Sequence, residues 1–307
     1  MPQLRIIFMG TPEFAVSSLD ILVENGYHVV AVITAPDKPA GRGQKINESD
    51  VKKAALKHNL PILQPTNLKD ESFLEELRSY NANLQVVVAF RMLPEVVWQM
   101  PEIGTFNLHA SLLPNYRGAA PINWAIINGE EKTGVTTFFL QHKIDTGDIL
   151  FQEEEEIYDN DNVGTLYERL KNKGARLVLK TVKAIQDNDY AVKKQNLEEK
   201  TPHAPKIFTE DTFINFNNES EKILNFVRGL TPYPAARMRL YDTMYKVFDV
   251  EIADYDESNE LLIGEPLTDQ KSYLYVKTLD GYIKINELQP EGKRRMKTDE
   301  FLRGNKI

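Results

Sequence analysis

The chain has 307 residues, 42% of them hydrophobic and 27% charged, with no cysteine and a formal net charge of −8. That length suits two domains with real cores, and the composition sets aside disordered, collagen-like and coiled-coil chains. The missing cysteine removes disulfides, thiolate zinc sites and thiol nucleophiles, and the acidic balance argues against nucleic-acid binding over the whole surface while leaving room for a local basic patch.

No apolar run reaches the length of a membrane-spanning helix, so no membrane association is expected. The opening MPQLRIIFMG reads as a first strand and not as a signal peptide, and a cysteine-free chain suits a reducing cytoplasm. Residues 4–9 form a compact apolar run stopped by Gly10-Thr11-Pro12, the pattern of a buried strand. The turn Gly10-Thr11-Pro12-Glu13 stands where a dinucleotide fingerprint would, but G-x-G-x-x-G is missing and Pro12 removes a donor. It reads as a tight strand-to-helix turn, with neither NAD nor ATP expected. Ala15, Leu19 and Leu22 then recur at helical spacing, with Gly26 as a stop signal.

A second β-branched run covers 29–33, a polar loop follows over 35–49, and helices are expected near 51–58 and 71–80. Residues 84–90 contain Val86, Val87 and Val88 in a row, which suits a strand buried on both faces. Runs at 105–108 and 135–140 continue the series. Alternation of this kind predicts a mostly parallel sheet with flanking helices, and ligands in such sheets sit beyond the carboxyl ends of the strands.

The texture changes near residue 190. The polar stretch 190–205 contains Pro202 and Pro205 and reads as a linker. Beyond a helix at 220–230, short strands are expected at 245–252, 261–263, 273–278 and 282–288, a pattern that favours a small barrel or sandwich. The expected division is therefore a catalytic domain over 1–189, a linker over 190–205 and a C-terminal domain over 206–307.

Three side chains stand out for chemistry. Asn107 and His109 lie two residues apart at the end of a strand, so alternation puts them on one face. Asp145-Thr146-Gly147-Asp148 follows the 135–140 strand; alone it reads equally well as a turn. Together, Asn107, His109 and Asp145 supply an amide donor, an imidazole and a carboxylate, the parts needed to pass an acyl group such as formyl through a tetrahedral intermediate. The five histidines are scattered without an H-E-x-x-H pairing, so no metal is expected.

At these residues the chain resembles the folate-dependent formyltransferase family. The matching text is NLHASLLPNYRGAAPINWAIINGE followed by GVTTFFLQHKIDTGDIL, with RIIFMGTPEFAV and TAPDKPAGRGQK before them. The resemblance implies an α/β fold whose N-terminal Rossmann-like sheet is followed by an OB-like β-barrel from about Lys206. It implies 10-formyltetrahydrofolate as donor, Asn107, His109 and Asp145 as the catalytic set, and Ser111, Leu112, Leu113 and Pro114 as the lining of the folate site. One departure is visible: AFRMLP, at 89–94, is a residue shorter than the family's usual form, which carries a glycine there.

The acceptor has to be read from elsewhere, because family members share the catalytic core. The chain is about a hundred residues longer than the single-domain glycinamide ribonucleotide enzymes. Its loop 34–45 gathers Lys38, Arg42 and Lys45 among prolines and glycines with one acid, a clamp suited to the acceptor stem of initiator methionyl-tRNA. The cluster Gly292-Lys293-Arg294-Arg295-Met296-Lys297 is either a solvated face or a second backbone-binding patch. Tyr273, Tyr275 and Tyr282 are expected in the barrel core in preference to exposed stacking. An amino sugar nucleotide is the rival acceptor. A catalytically inactive nucleic-acid-binding protein is the second rival, and the intact Asn107, His109 and Asp145 set speaks against it. A monomer is expected.

Overall fold

The computed structural model describes residues 3–40, 45–198, 200–253 and 261–307. The chain forms two compact units, each woven from three stretches: Met1–Arg117, Gly134–Glu155 and Tyr167–Pro202 in one, Gly118–Thr133, Glu156–Leu166 and His203–Ile307 in the other. Among the described residues no helix is long and apolar enough to cross a membrane.

The first apolar run is β1 (Arg5–Gly10), buried in all but its first residue. It turns at Pro12 into α1 (Glu13–Glu24), whose Phe14, Ala15, Ser18, Leu19 and Leu22 face the core. Then come β2 (His28–Ile33), β3 (Lys38–Ala40), β4 (Lys45–Asn47), α2 (Asp50–Lys57), β5 (Ile62–Leu63) and α3 (Glu71–Ser79). Helices α2 and α3 start where side chains cap them: Ser49 accepts from the Lys52 amide at 3.0 Å and Asp70 from the Phe73 amide at 3.3 Å. The three-valine run is β6 (Leu84–Val88), buried throughout. It is followed by α4 (Glu95–Trp98), β7 (Gly104–His109), β8 (Arg117–Gly118), α5 (Pro121–Ile127), β9 (Lys132–Phe139), β10 (Ile149–Glu156) and α6 (Val163–Asp187).

These strands make a seven-stranded sheet in the order β10-β9-β7-β6-β1-β2-β5. Pairing is parallel from β7 to β5 and antiparallel between β7 and β9. The mostly parallel sheet expected from the sequence is thus present, with a reversed strand beside β7. Sequence order switches direction at β1, which pairs β2 on one side and β6 on the other, and crevices form outside the carboxyl ends at such a point. Where a polar loop was expected over 35–49, the described residues include the paired strands β3 and β4, with Lys38 opposite Asn47.

The C-terminal elements are β11 (His203–Ala204), α7 (Ser220–Leu230), β12 (Ala236–Leu240), β13 (Thr243–Ile252), β14 (Pro266–Thr268), β15 (Leu274–Lys277), β16 (Tyr282–Pro290), β17 (Met296–Lys297) and α8 (Thr298–Gly304). Strands β12 to β17 form a six-stranded sheet curled as an antiparallel half-barrel. Its core joins Val227 and Leu230 of α7 to Val247, Val276, Ile283 and Ile285, and Phe301 of α8. Two expectations change here. Residues 261–263 are not a strand; Leu262 is 70% exposed and Gly264 turns the chain in the left-handed region at φ 89°, so the next strand begins at Pro266. Of the three tyrosines only Tyr282 is core; Tyr273 and Tyr275 stack on each other 4.7 Å apart on the partly exposed face, because Leu274 and Val276 take the inward positions.

The Gly10 turn needs its glycine for space. A Cβ there would stand 2.7 Å from the Ala15 Cβ and 3.0 Å from the Val88 carbonyl oxygen. Gly10→Val should destabilise the protein by roughly 1–3 kcal/mol through overpacking. The check is the midpoint of chemical unfolding; an unchanged midpoint would show that the β1–α1 turn gives way freely.

Candidate active site

Leu108 marks the face of β7 that packs on α6: a Cβ on Gly174 would lie 2.7 Å from its Cδ2. Asn107 and His109 therefore project from the opposite face. Across the antiparallel pair, Asn107 stands opposite Phe138 and His109 opposite Thr136, so these four side chains share that face. His109 is 6% exposed. Its Nε2 lies 2.8 Å from the Tyr116 carbonyl oxygen, which can only accept, so Nε2 carries the proton. That leaves Nδ1 as the exchangeable position, and Nδ1 points at the Asp145 carboxylate with 3.9 Å to Oδ2. The structure thus brings Asn107, His109 and Asp145, chosen from sequence, onto one face.

The 111–116 loop is held by groups the sequence reading did not single out. The Thr136 hydroxyl donates to the Ser111 carbonyl at 2.6 Å and lies 3.2 Å from the Leu113 amide. Gln152 adds its amide to the Leu113 carbonyl at 2.8 Å. The Ser111 hydroxyl turns inward to the Asn115 carbonyl at 2.6 Å, and the Leu113 side chain is buried against Phe138 and Ile149. Leu112 and Pro114 remain partly exposed. The four expected folate residues therefore divide, two committed to the loop's own architecture and two open to a ligand.

Asp145 itself adopts φ 54°, in the left-handed region that aspartate tolerates better than most residues. Two residues on, Gly147 runs hard against β9: a Cβ there would fall 1.6 Å from the Phe139 carbonyl oxygen and 3.3 Å from the Phe138 ring. Only glycine lets the 141–148 loop lie this close to the sheet. Arg117 and Gln195 grip the same loop, Arg117 Nε on the Asp145 carbonyl at 3.1 Å and Gln195 Nε2 on the Asp145 and Gly147 carbonyls at 2.9 and 2.8 Å. Gln195 was not singled out from sequence and falls in the stretch that read as a linker; no local pattern marks a pairing 50 residues away in the chain.

The short segment at 89–94 starts with Ala89 at φ 47°, a conformation that favours the glycine the family pattern carries. Phe90 and Leu93 pack on the core beside Phe73 and Val97. Arg91 is spent on the neighbouring backbone, donating to the Thr66 carbonyl at 3.0 Å and to the Pro65 carbonyl.

Of the three expected RNA-binding cations, Lys38 is exposed at the start of β3, Lys45 lies in β4 opposite Ala40, and Arg42 lies outside the described residues. The neck of this ribbon is tied down. Thr34 and Ser49 hydroxyls meet at 2.6 Å, and Lys52 bridges Asp37 and Glu48, the latter at 2.8 Å. The hydrogen bond from Lys52 holds the Asp37 carboxyl below the usual carboxylate range. The one acid of the loop is thereby neutralised by α2. The C-terminal basic cluster is partly spent on its own sheet: Arg294 pairs with Glu300, and Arg295 pairs with Glu287 while lying 4.3 Å over the Phe248 ring.

Gly147→Ala should displace the 141–148 loop and cost roughly 10²-fold in turnover, the scale of a misplacement of about 1 Å. The readout is single-turnover rate beside the thermal midpoint. A variant with wild-type turnover would show that Asp145 is not held through this contact.

Comparisons with known proteins converge on one family. The formyl transferase family matches residues 4–182, and its C-terminal domain matches residues 206–306. The methionyl-tRNA formyltransferase of Bacteroides thetaiotaomicron is 53% identical over 314 residues, covering 99% of this chain and 97% of that protein. That of Flavobacterium johnsoniae is 52% identical, covering 99% and 97%. Among solved structures, the sugar 3N-formyl transferase WlaRD, crystallised with dTDP and 5-N-formyl-THF, superimposes with a TM-score of 0.65 at 22% identity, covering 96% of this chain and all of that one. HypX from Aquifex aeolicus with tetrahydrofolic acid gives 0.64 at 17% identity, covering 98% of this chain and 47% of that one. These two likenesses speak for the fold. With family matches spanning both halves and relatives this similar over almost the entire length, the chain belongs to the formyl transferase family.

Proposed function

We propose that this protein transfers the formyl group of 10-formyltetrahydrofolate to the free amino group of initiator methionyl-tRNA. The convergence of Asn107, His109 and Asp145 on one face of β7 carries the chemistry. The methionyl-tRNA formyltransferases at 52–53% identity carry the choice of acceptor. A cytoplasmic site of action, a monomer, and a catalytic domain, linker and RNA-binding domain dividing near 190–205 belong to the same reading; matches ending at 182 and resuming at 206 support that division.

Each residue's part follows from its chemistry. As the amine attacks, negative charge gathers on the formyl oxygen, and the Asn107 amide is the N–H donor that stabilises it. His109, with Nε2 committed to the Tyr116 carbonyl, takes the proton of the attacking amine through Nδ1 and returns it to the folate nitrogen as the bond from that nitrogen to the formyl carbon breaks. Asp145 faces that nitrogen and stabilises the imidazolium while it lasts. Leu112 and Pro114, with backbone of the 111–114 loop, offer the apolar wall for folate; Ser111 and Leu113 keep that wall in place. Lys38, Arg42 and Lys45 supply phosphate contacts to the acceptor stem, and the bridge from Lys52 keeps Asp37 and Glu48 from opposing them.

The deciding experiment is formyl transfer from 10-formyltetrahydrofolate to charged initiator tRNA, with uncharged tRNA and an amino sugar nucleotide as controls. Transfer to the sugar nucleotide alone would overturn the choice of acceptor. In the same assay Asn107→Ala should cost about 10²–10³ in kcat with folate binding little changed. His109→Ala and Asp145→Ala should each also lose most of kcat, and double variants should be little worse than the poorer single. A member of the set that keeps wild-type turnover has been given the wrong role.

Replacing Lys38, Arg42 and Lys45 together with Ala should lower kcat/KM for charged tRNA and leave folate affinity alone. The slope of log K against log salt should flatten by roughly 0.7–0.9 for each phosphate that is no longer neutralised. A salt slope that survives the triple change would rule this ribbon out as an RNA-binding element. Arg42→Lys separates charge from the planar guanidinium, since only the latter stacks or forks.

A further inference from the structure

The side-chain amide of Gln195 places both of its N–H donors on the 141–148 loop. Its Nε2 donates to the carbonyls of Asp145 and Gly147 at 2.9 and 2.8 Å, and its Oε1 accepts from Arg117 Nη2 at 2.6 Å. Carbonyls hold no proton and guanidinium offers no acceptor, so chemistry permits this orientation of the amide alone. Arg117 completes the arrangement by placing Nε on the Asp145 carbonyl at 3.1 Å. Two residues before Gln195, Lys193 exchanges both backbone hydrogen bonds with Ile149, at 2.8 and 2.9 Å, so the chain delivers the amide from a pinned position. At the other end of the same strap the Pro202 carbonyl accepts the Tyr116 amide at 2.7 Å, and Tyr116 is the residue whose carbonyl fixes His109.

Resting on the formyl-transfer reading above, we propose that Gln195 is a positioning residue for Asp145, with Arg117 as its support. Asp145 sits in left-handed backbone, which few residues adopt unaided, and the loop around it runs from β9 to β10 with no helix or sheet of its own. Two N–H donors on carbonyls either side of Thr146 hold that backbone in the rotation that points the carboxylate at His109 Nδ1. Neither Gln195 nor Arg117 touches the reacting atoms in this role; both act through the direction of one carboxylate.

The test uses the full-length protein with Gln195→Ala and Gln195→Glu, each alone and in an Asp145→Ala background. Glutamate is nearly isosteric and keeps the pair with Arg117, but it turns both donors into acceptors facing carbonyls. Both single variants should lose kcat by up to about 10²-fold while KM for the folate donor stays near wild type. In the Asp145→Ala background neither should lower the residual turnover further, because there is no carboxylate left to aim. Gln195→Glu with wild-type kcat, or an equal loss of rate with and without Asp145, would overturn the proposal. Should Gln195→Ala fail to fold, Gln195→Glu decides, and if both unfold the residue is structural and the proposal is wrong. Absence of formyl transfer by the wild-type protein to any amine would instead overturn the reading on which it rests.

Discussion

The site depends on one constraint, the antiparallel pairing of β7 with β9. A parallel neighbour would send the chain away over a long crossover, whereas the reversed strand brings two loops back to the same face. Thr136 opposite His109 holds the 111–116 loop by its carbonyl and amide groups, and Phe138 opposite Asn107 gives the 141–148 loop a surface to lie on. Without that register the imidazole on β7 and the carboxylate on the 141–148 loop have no reason to meet. A shift of one residue would turn Asn107 and His109 toward α6, where Leu108 already fills the space against Gly174.

On this frame the precision is polar. The two loops are anchored by the buried Leu113 and Tyr116 side chains and by donors placed on backbone carbonyls. Buried carbonyls need partners, and a partner of fixed geometry also fixes the peptide that carries it. The Tyr116 carbonyl sets the tautomer of His109, and the carbonyls of Asp145 and Gly147 set the direction of the carboxylate. Both Tyr116 and Asp145 lie at positive φ, so two of the residues in left-handed backbone stand at the candidate site.

Charge is arranged by local cancellation. The chain is acidic overall, yet the carboxylates of Asp37 and Glu48 at the neck of the β3–β4 ribbon are bridged by Lys52. In the C-terminal half-barrel the opposite happens, with Arg294 and Arg295 answered by Glu300 and Glu287. A count of charges along the sequence ranks the C-terminal cluster, with four cations and no acid, above the 34–45 loop with three cations and one acid. Their surroundings separate them, leaving the ribbon with Lys38 exposed and the cluster with two of its four cations paired in its own sheet.

The sequence by itself determined the elements whose cause is local. The β1 run, the valines of β6, and the helices near 51–58, 71–80 and 220–230 are legible because a strand or helix declares its buried face by an apolar run or period. Asn107, His109 and Asp145 were legible as candidates because an amide, an imidazole and a carboxylate stand close to strand ends. Only the tertiary structure decided what holds them. Gln152 and Gln195 belong to no motif, Thr136 and Arg117 receive no role from the motif text they stand in, and each of the four acts on a carbonyl between 25 and 50 residues away in the chain. The pairing of β3 with β4, the placement of Tyr273 and Tyr275, and the turn that replaced the expected strand at 261–263 belong to the same class. In each case the outcome rests on which backbone group or core position a distant segment left open, and a linear pattern holds no record of that until the strands have paired.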